Sequence, residues 1–238
     1  MPVDPEVKGT TLMSHHHHPV GGGLAKQLVV LLHGYGSDGE DLIQLAPYLG
    51  QAMPDAAFVA PNAPFPCATA IYGFQWFDVW DADGARRLEG ARLANKILQP
   101  FYDVQLEAHE VAPEELYIIG FSQGTMMALH SGLRREIAPR AVVGFAGRLM
   151  AAHLLADEMT CKPPVMLAHG ADDDVVPVES LEKANEALRA AGVSVESHVI
   201  QGLGHGIDET GILQAAQFLR CLLYTSPEPT RHRRISSA

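Results

Sequence analysis

A serine held between two glycines is where this sequence can begin covalent chemistry. Gly120-Phe121-Ser122-Gln123-Gly124 fits the pattern G-x-S-x-G, directly after the apolar run LYII and directly before a helical stretch. On such a strand-to-helix turn the serine Oγ is thrust outward. Its flanking glycines let strand and helix approach without Cβ clashes, and the helix N-terminus aims partial positive charge at the reaction centre. A hydroxyl is a weak nucleophile at neutral pH. It needs a base of pKa near 7, hence an imidazole, and the imidazole needs a carboxylate to hold its tautomer and stabilise its charged form. The plainer alternative for Ser122 is a helix cap flanked by glycines.

The base and the acid have candidates in the loops after two later apolar runs. Gly202-Leu203-Gly204-His205-Gly206 places His205 in a glycine-rich loop, whereas among its rivals as base His130 reads as mid-helix, His198 as part of a strand, His109 and His153 as surface residues, and His169 stands as a further rival. His169-Gly170-Ala171-Asp172-Asp173-Asp174 offers three consecutive carboxylates. Only one can aim inward, because three like charges cannot all be buried, and Asp173 is the favoured one. The order Ser122, Asp173, His205 is the order that goes with a G-x-S-x-G nucleophile turn. A tetrahedral intermediate also needs two donors aimed at its oxyanion. The backbone N–H of Gln123, just after the nucleophile, and that of Tyr35 in Leu32-His33-Gly34-Tyr35-Gly36 are the candidates. His33 is open to reading as a base, but beside a strand end it reads better as a brace for that loop.

Those residues require a scaffold that brings several strand ends to one edge. Short apolar runs at Leu28 to Leu32, Ala56 to Pro61, Leu116 to Gly120, Ala141 to Gly147, Pro164 to Gly170 and Val193 to Ile200 predict six strands, the last alternating as an edge strand does. Helical patterns lie between them, at Asp41 to Gly50, Arg86 to Ala108 with a kink at Pro100, Gln123 to Arg135, Val178 to Ala191 and Glu209 to Leu223. This β-α alternation predicts an α/β fold, a mostly parallel central sheet with helices on both faces and with functional groups at the carboxyl ends of the strands.

Composition narrows the class. The chain has 238 residues with 47% apolar content, enough for a substantial core and too apolar for a disordered chain. A net charge of −11 argues against a grip on nucleic acid, and no run of 18 apolar residues predicts a membrane span. Three scattered cysteines predict neither a disulfide scaffold nor a four-cysteine metal site, and a reduced, cytoplasmic setting is expected.

The two ends read differently from the middle. Residues 1–27 show no period of 2 or 3.6 and are expected to be unstructured, with Met13 as a second candidate start. The run His15 to His18 lies in that stretch, and neighbours along a floppy chain do not hold metal ligands in fixed geometry, so no metal site is expected there. The domain is expected over residues 28–223 and a disordered tail over 224–238. CLLYTS followed by PEPTR resembles read-through of a sequencing adapter, so Arg231, Arg233 and Arg234 are not read as a nucleic-acid arm.

Taken together, LVVLLHGYGSDGEDLI, FVAPNAP, YGFQWFD, GFSQGTMMALH, HGADDDVVP and GLGHGID resemble the phospholipase/carboxylesterase branch of the α/β-hydrolases, which includes bacterial carboxylesterases and acyl-protein thioesterases. The resemblance covers Lys26 to Leu223. It implies the α/β-hydrolase fold, esterase or thioesterase activity on acyl chains, and no cofactor. Motif by motif it makes Ser122 the nucleophile, Asp173 (in HG-x-x-D-x-x-VP) the acid, His205 the base, and Tyr35 and Gln123 the oxyanion donors. One departure is Ala146 in FAGRL, where the family usually has serine.

The expected substrate is a small-molecule or lipid-like acyl ester, and a homodimer is compatible with the sequence. Trp76 and Trp80 fall in one short stretch with Tyr72, Phe74 and Phe77. Tyr72, Trp76 and Phe77 are candidates to wall an acyl groove, and a satellite core under a long loop is the equal alternative. Lysophospholipase or acyl-protein thioesterase activity is the alternative within the class. A catalytically silent acyl-binding protein is the alternative outside it.

Overall fold

The computed structural model describes residues 12–67, 70, 73–79 and 84–224. Nine strands run in chain order: β1 Ser14–His17, β2 Gln27–Leu32, β3 Ala56–Pro61, β4 Phe65–Pro66, β5 Phe74–Gln75, β6 Leu116–Phe121, β7 Ala141–Phe145, β8 Val165–Gly170 and β9 Val195–Ile200. The helices are α1 Gly39–Leu42, α2 Ala46–Leu49, α3 Gly84–Ala108, α4 Gln123–Gly132, α5 Leu155–Glu158, α6 Glu179–Ala190 and α7 Glu209–Tyr224. Seven strands form one sheet in the order β1-β3-β2-β6-β7-β8-β9, while β4 and β5 make a separate small hairpin. Every pairing in the large sheet is parallel except that of β1 with β3. The mostly parallel sheet with helices on both faces, expected from the alternation of elements, is the architecture present.

Alternation along the buried strands divides the core between the two faces. Leu28, Val30 and Leu32 of β2 join Ile118, Val142 and Leu167 beneath α3, α4 and α6. Val29 and Leu31 join Tyr117, Ile119, Val143 and Met166 on the face covered by α1, α2 and α7. A strand buried on both sides has no polar face to show, which is why these runs are continuously apolar. Register then aligns the carboxyl ends. Leu32 lies beside Gly120, Phe121 beside Phe145, and Gly170 beside Ile200. The loops that leave those residues emerge along one edge of the sheet.

Several elements differ from the sequence reading, among them the following. Ser14–His17 is not unstructured: it pairs antiparallel with β3, Ser14 opposite Pro61 and His17 opposite Phe58. Its stability comes from ladder bonds to an otherwise open edge and from ring contacts of His17 with Phe58 and His16 with His109, so its own sequence shows no apolar period. Leu12, just before it, is buried in the core. The expected helix at Asp41 to Gly50 is two short α-helical turns joined by a 3₁₀ turn at Ile43–Leu45. The helix α3 starts two residues early and continues through Pro100. Among the described residues no helix is long and apolar enough to cross a membrane, and no cluster of three or more His, Cys, Asp or Glu could hold a metal ion.

Candidate active site

Ser122 sits between β6 and α4 with φ 52° and ψ −114°, a left-handed conformation that is rare for a residue with a side chain. Its neighbours hold it there. Ser122 N–H donates to Phe145 O at 2.8 Å, and the Thr125 hydroxyl lies 2.8 Å from both Gly120 O and Phe145 O while accepting the Phe145 N–H at 2.9 Å. The two motif glycines are needed for close approach. A methyl group on Gly124 would stand 1.8 Å from Leu32 O, and one on Gly120 would stand 2.3 Å from the Gly124 carbonyl. The helix behind Ser122 is buried at every one of its ten residues.

His205 reaches this serine from the loop after β9. Its Nε2 lies 2.9 Å from Ser122 Oγ, and its Nδ1 lies 2.8 Å from Asp173 Oδ2. The carboxylate can only accept, so Nδ1 carries the proton and Nε2 is left to accept from the serine hydroxyl. The three side chains form one hydrogen-bonded chain across loops that follow three different strands. Backbone bonds clamp two of those loops together: Asp172 N–H donates to Leu203 O at 2.9 Å and Ala171 N–H to Ile200 O at 2.8 Å. The Phe121 ring lies against His205 with centroids 5.1 Å apart.

Asp173 is the inward carboxylate of the three; Asp172 and Asp174 are exposed. Its Oδ1 accepts the N–H groups of Val175 and Val176 at 2.9 and 2.8 Å. Burial pushes the carboxyl pKa up, but the bonds from His205, Val176 and Val175 outweigh it, and the net pKa lies below the ordinary aspartate value. A second histidine also touches this acid. His169 Nε2 donates to Val176 O at 2.8 Å and lies 3.1 Å from Asp173 Oδ2. Sequence reasoning weighed His169 only as a rival base. The signal it missed was the spacing of four residues between His169 and Asp173 across a tight loop.

His33 is fully buried and stays away from the reacting groups. Its Nδ1–H donates to Gly34 O at 2.7 Å and its Nε2 accepts Ala63 N–H at 2.9 Å, so the ring braces the loop after β2. Burial lowers its pKa, outweighing the backbone bond to Gly34 and the nearby Asp38 and Asp41, and this favours the neutral tautomer that makes both bonds. That loop passes the nucleophile: a methyl group on Gly34 would stand 3.4 Å from Ser122 Cβ. Tyr35, the next residue, is thereby carried to the same edge.

The expected aromatic groove wall is corrected at Trp76 and Phe77. They are 0% and 2% exposed and belong to the core. Trp76 Nε1–H donates to His33 O at 2.9 Å. The Gln123 side chain accepts Trp76 N–H at 2.8 Å and donates to Phe77 O at 2.7 Å. This pair therefore fastens both segments that carry the candidate oxyanion donors, instead of facing a ligand. Tyr72 and Trp80 lie outside the described residues.

Known proteins share this arrangement of elements. The profile of the phospholipase/carboxylesterase family matches residues 21–223. The crystal structure of esterase PE8 superposes with a TM-score of 0.84 at 42% identity, covering 89% of this chain and 99% of that one. Esterase YpfH of Escherichia coli is 28% identical over 207 residues, 86% of this chain and 85% of its own. Acyl-protein thioesterase 1 of Gibberella zeae is 27% identical over 209 residues, 81% of this chain and 88% of its own. A match over so much of the chain, with the G-x-S-x-G turn at the end of β6, is a statement about ancestry as well as shape, and the chain belongs to the phospholipase/carboxylesterase family.

Proposed function

We propose that the protein hydrolyses carboxylic esters, or acyl thioesters, of small or medium acyl substrates through Ser122, His205 and Asp173 and an acyl-enzyme intermediate. The observation that carries this reading is the continuous chain Ser122 Oγ, His205 Nε2, His205 Nδ1, Asp173 Oδ2, with separations of 2.9 and 2.8 Å. As Ser122 Oγ attacks the acyl carbonyl, His205 Nε2 takes its proton, and Asp173 stabilises the resulting imidazolium. The backbone N–H groups of Gln123 and Tyr35 receive the oxyanion. Collapse expels the alcohol or thiol, protonated by His205, and leaves the acyl group on Ser122. Water, deprotonated by His205, then attacks that acyl group and frees the acid.

Family membership and the names of the relatives support ester hydrolysis. Acyl-protein thioesters are the second reading, favoured by the fungal relative named for them. A panel of matched oxygen esters and thioesters across acyl lengths separates the two. The mechanism itself is tested with Ser122→Ala. Turnover of p-nitrophenyl butyrate should fall by about 10⁶ in kcat, and covalent labelling by a fluorophosphonate should vanish. Turnover within tenfold of the unaltered protein would end the assignment.

A further inference from the structure

A cavity of about 770 Å³ lies between the first turns of α3 and the segment that follows β7. Arg87 and Leu88 line one wall; Arg148, Leu149, Met150 and His153 line the other. Both walls are tied to the nucleophile turn. A methyl group on Gly147 would stand 2.9 Å from Ser122 O, and one on Gly90 would stand 2.8 Å from Phe77 Cβ, whose carbonyl holds the Gln123 side chain. The second wall is held in place. Glu158, at its far end, receives both Arg92 and Arg134, which join it to α3 and the end of α4. Ala146 and Ala151, which bound the segment Gly147–Met150, both have left-handed φ angles of 49° and 47°.

The charges in this cavity differ from those of the arginines that brace its surroundings. Arg92 and Arg134 are neutralised by Glu158, and Arg135 by Asp103. Among the described residues neither Arg87 nor Arg148 has an ion-pair or hydrogen-bond partner. The two are close enough to feel each other: the Arg148 pKa is lowered first by partial desolvation and then by Arg87. The N-terminus of a 25-residue helix opens on the same space and adds positive potential. In a chain of net charge −11, two guanidinium groups with no ion-pair partner among the described residues line one cavity. A purely apolar guest would strip water from both groups and return nothing, whereas a carboxylate accepts paired N–H bonds from guanidinium. Leu88, Leu149 and Met150 supply apolar surface between those charges for a methylene chain.

We propose that this cavity is a subsite for a carboxylate at the far end of the substrate's acyl chain, which makes half-esters of dicarboxylic acids a preferred substrate class. The proposal rests on Ser122 as the attacking group. Ethyl hydrogen adipate and ethyl hydrogen suberate are compared with ethyl hexanoate and ethyl octanoate in low-salt buffer, where screening is weak. The ratio of kcat/KM, anionic over neutral at equal chain length, should fall ten- to hundredfold in Arg148→Met and in Arg87→Met, with partial recovery in Arg148→Lys. A ratio that stays within twofold in both methionine variants overturns the proposal. Adipate binding to the Ser122→Ala protein, followed by calorimetry, reads the subsite without turnover. There, adding Arg148→Met should weaken binding at least tenfold. If no ester is turned over at all, the Ser122 assignment fails and calorimetry alone decides the subsite. Arg148-dependent binding of adipate upholds it; no binding, or binding indifferent to both arginines, overturns it.

Discussion

Asp173 illustrates how much one side chain can be asked to do. Three donors surround its two oxygens, Val175 and Val176 N–H on Oδ1 and His205 Nδ1–H on Oδ2, while His169 Nε2 lies 3.1 Å from Oδ2. An amide in its place cannot accept on every side. With its oxygen kept at the two backbone N–H groups, its NH₂ would face the His205 Nδ1–H, so His205 would be driven to the wrong tautomer. Asp173→Asn is expected to lower kcat by about 10⁴ with little change in KM, measured by steady-state kinetics on p-nitrophenyl butyrate. The same residue shows what was legible beforehand. Three adjacent aspartates look alike in sequence; burial admits only one, and the spacing HG-x-x-D-x-x-VP pointed to the residue that meets His205. Trp76 and Phe77 were not separable by that means. An aromatic cluster after a strand reads the same whether it faces a groove or the interior, and only its depth and its bonds to His33 and Gln123 distinguish them. Arg87 and Arg148 carried no signal either, since they are 61 positions apart and their meeting depends on where a helix and a loop cross.

Secondary-structure elements were legible to the degree that each buries itself. Five of the six predicted strands declared themselves as apolar runs because both faces are covered, and β9 declared itself by the alternation of an edge strand. β1 could not, because a four-residue edge strand draws its stability from the partner it pairs with. The contact between β2, β6 and α4 carries the sharpest consequence. Gly124 lies so close to Leu32 O that any side chain must push the helix away from the sheet. Gly124→Ala is therefore expected to destabilise the fold by about 3 kcal/mol, read from the urea midpoint. In the protein that still folds it should lower kcat/KM more than tenfold by moving Ser122 from His205.

For the molecule as a whole, acid should be the weak direction. His130 is buried in α4 with its Nε2 unpartnered among the described residues, and burial, then Arg134, push its pKa down to about 4. His33 is shifted the same way by burial. A histidine kept neutral in the fold has a folded pKa below its unfolded one, so unfolding takes up protons as the pH falls. Stability is whole above about pH 6.5 and drains as the pH falls toward 4, with His130 alone accounting for about 3 kcal/mol at the acid end. Urea midpoints at pH 7.5 and pH 5 should differ accordingly, and His130→Leu should flatten that dependence.

Ser122, Asp173 and His205, the groups proposed to react, follow the carboxyl ends of three parallel strands, so the opposite rim of the sheet lies away from the proposed site. Lys26 and Lys162 are exposed there, immediately ahead of β2 and β8. Tethering the protein to an amine-reactive bead through those two positions would present Ser122 to the bulk liquid, and the immobilised preparation should keep most of the turnover number it has when free.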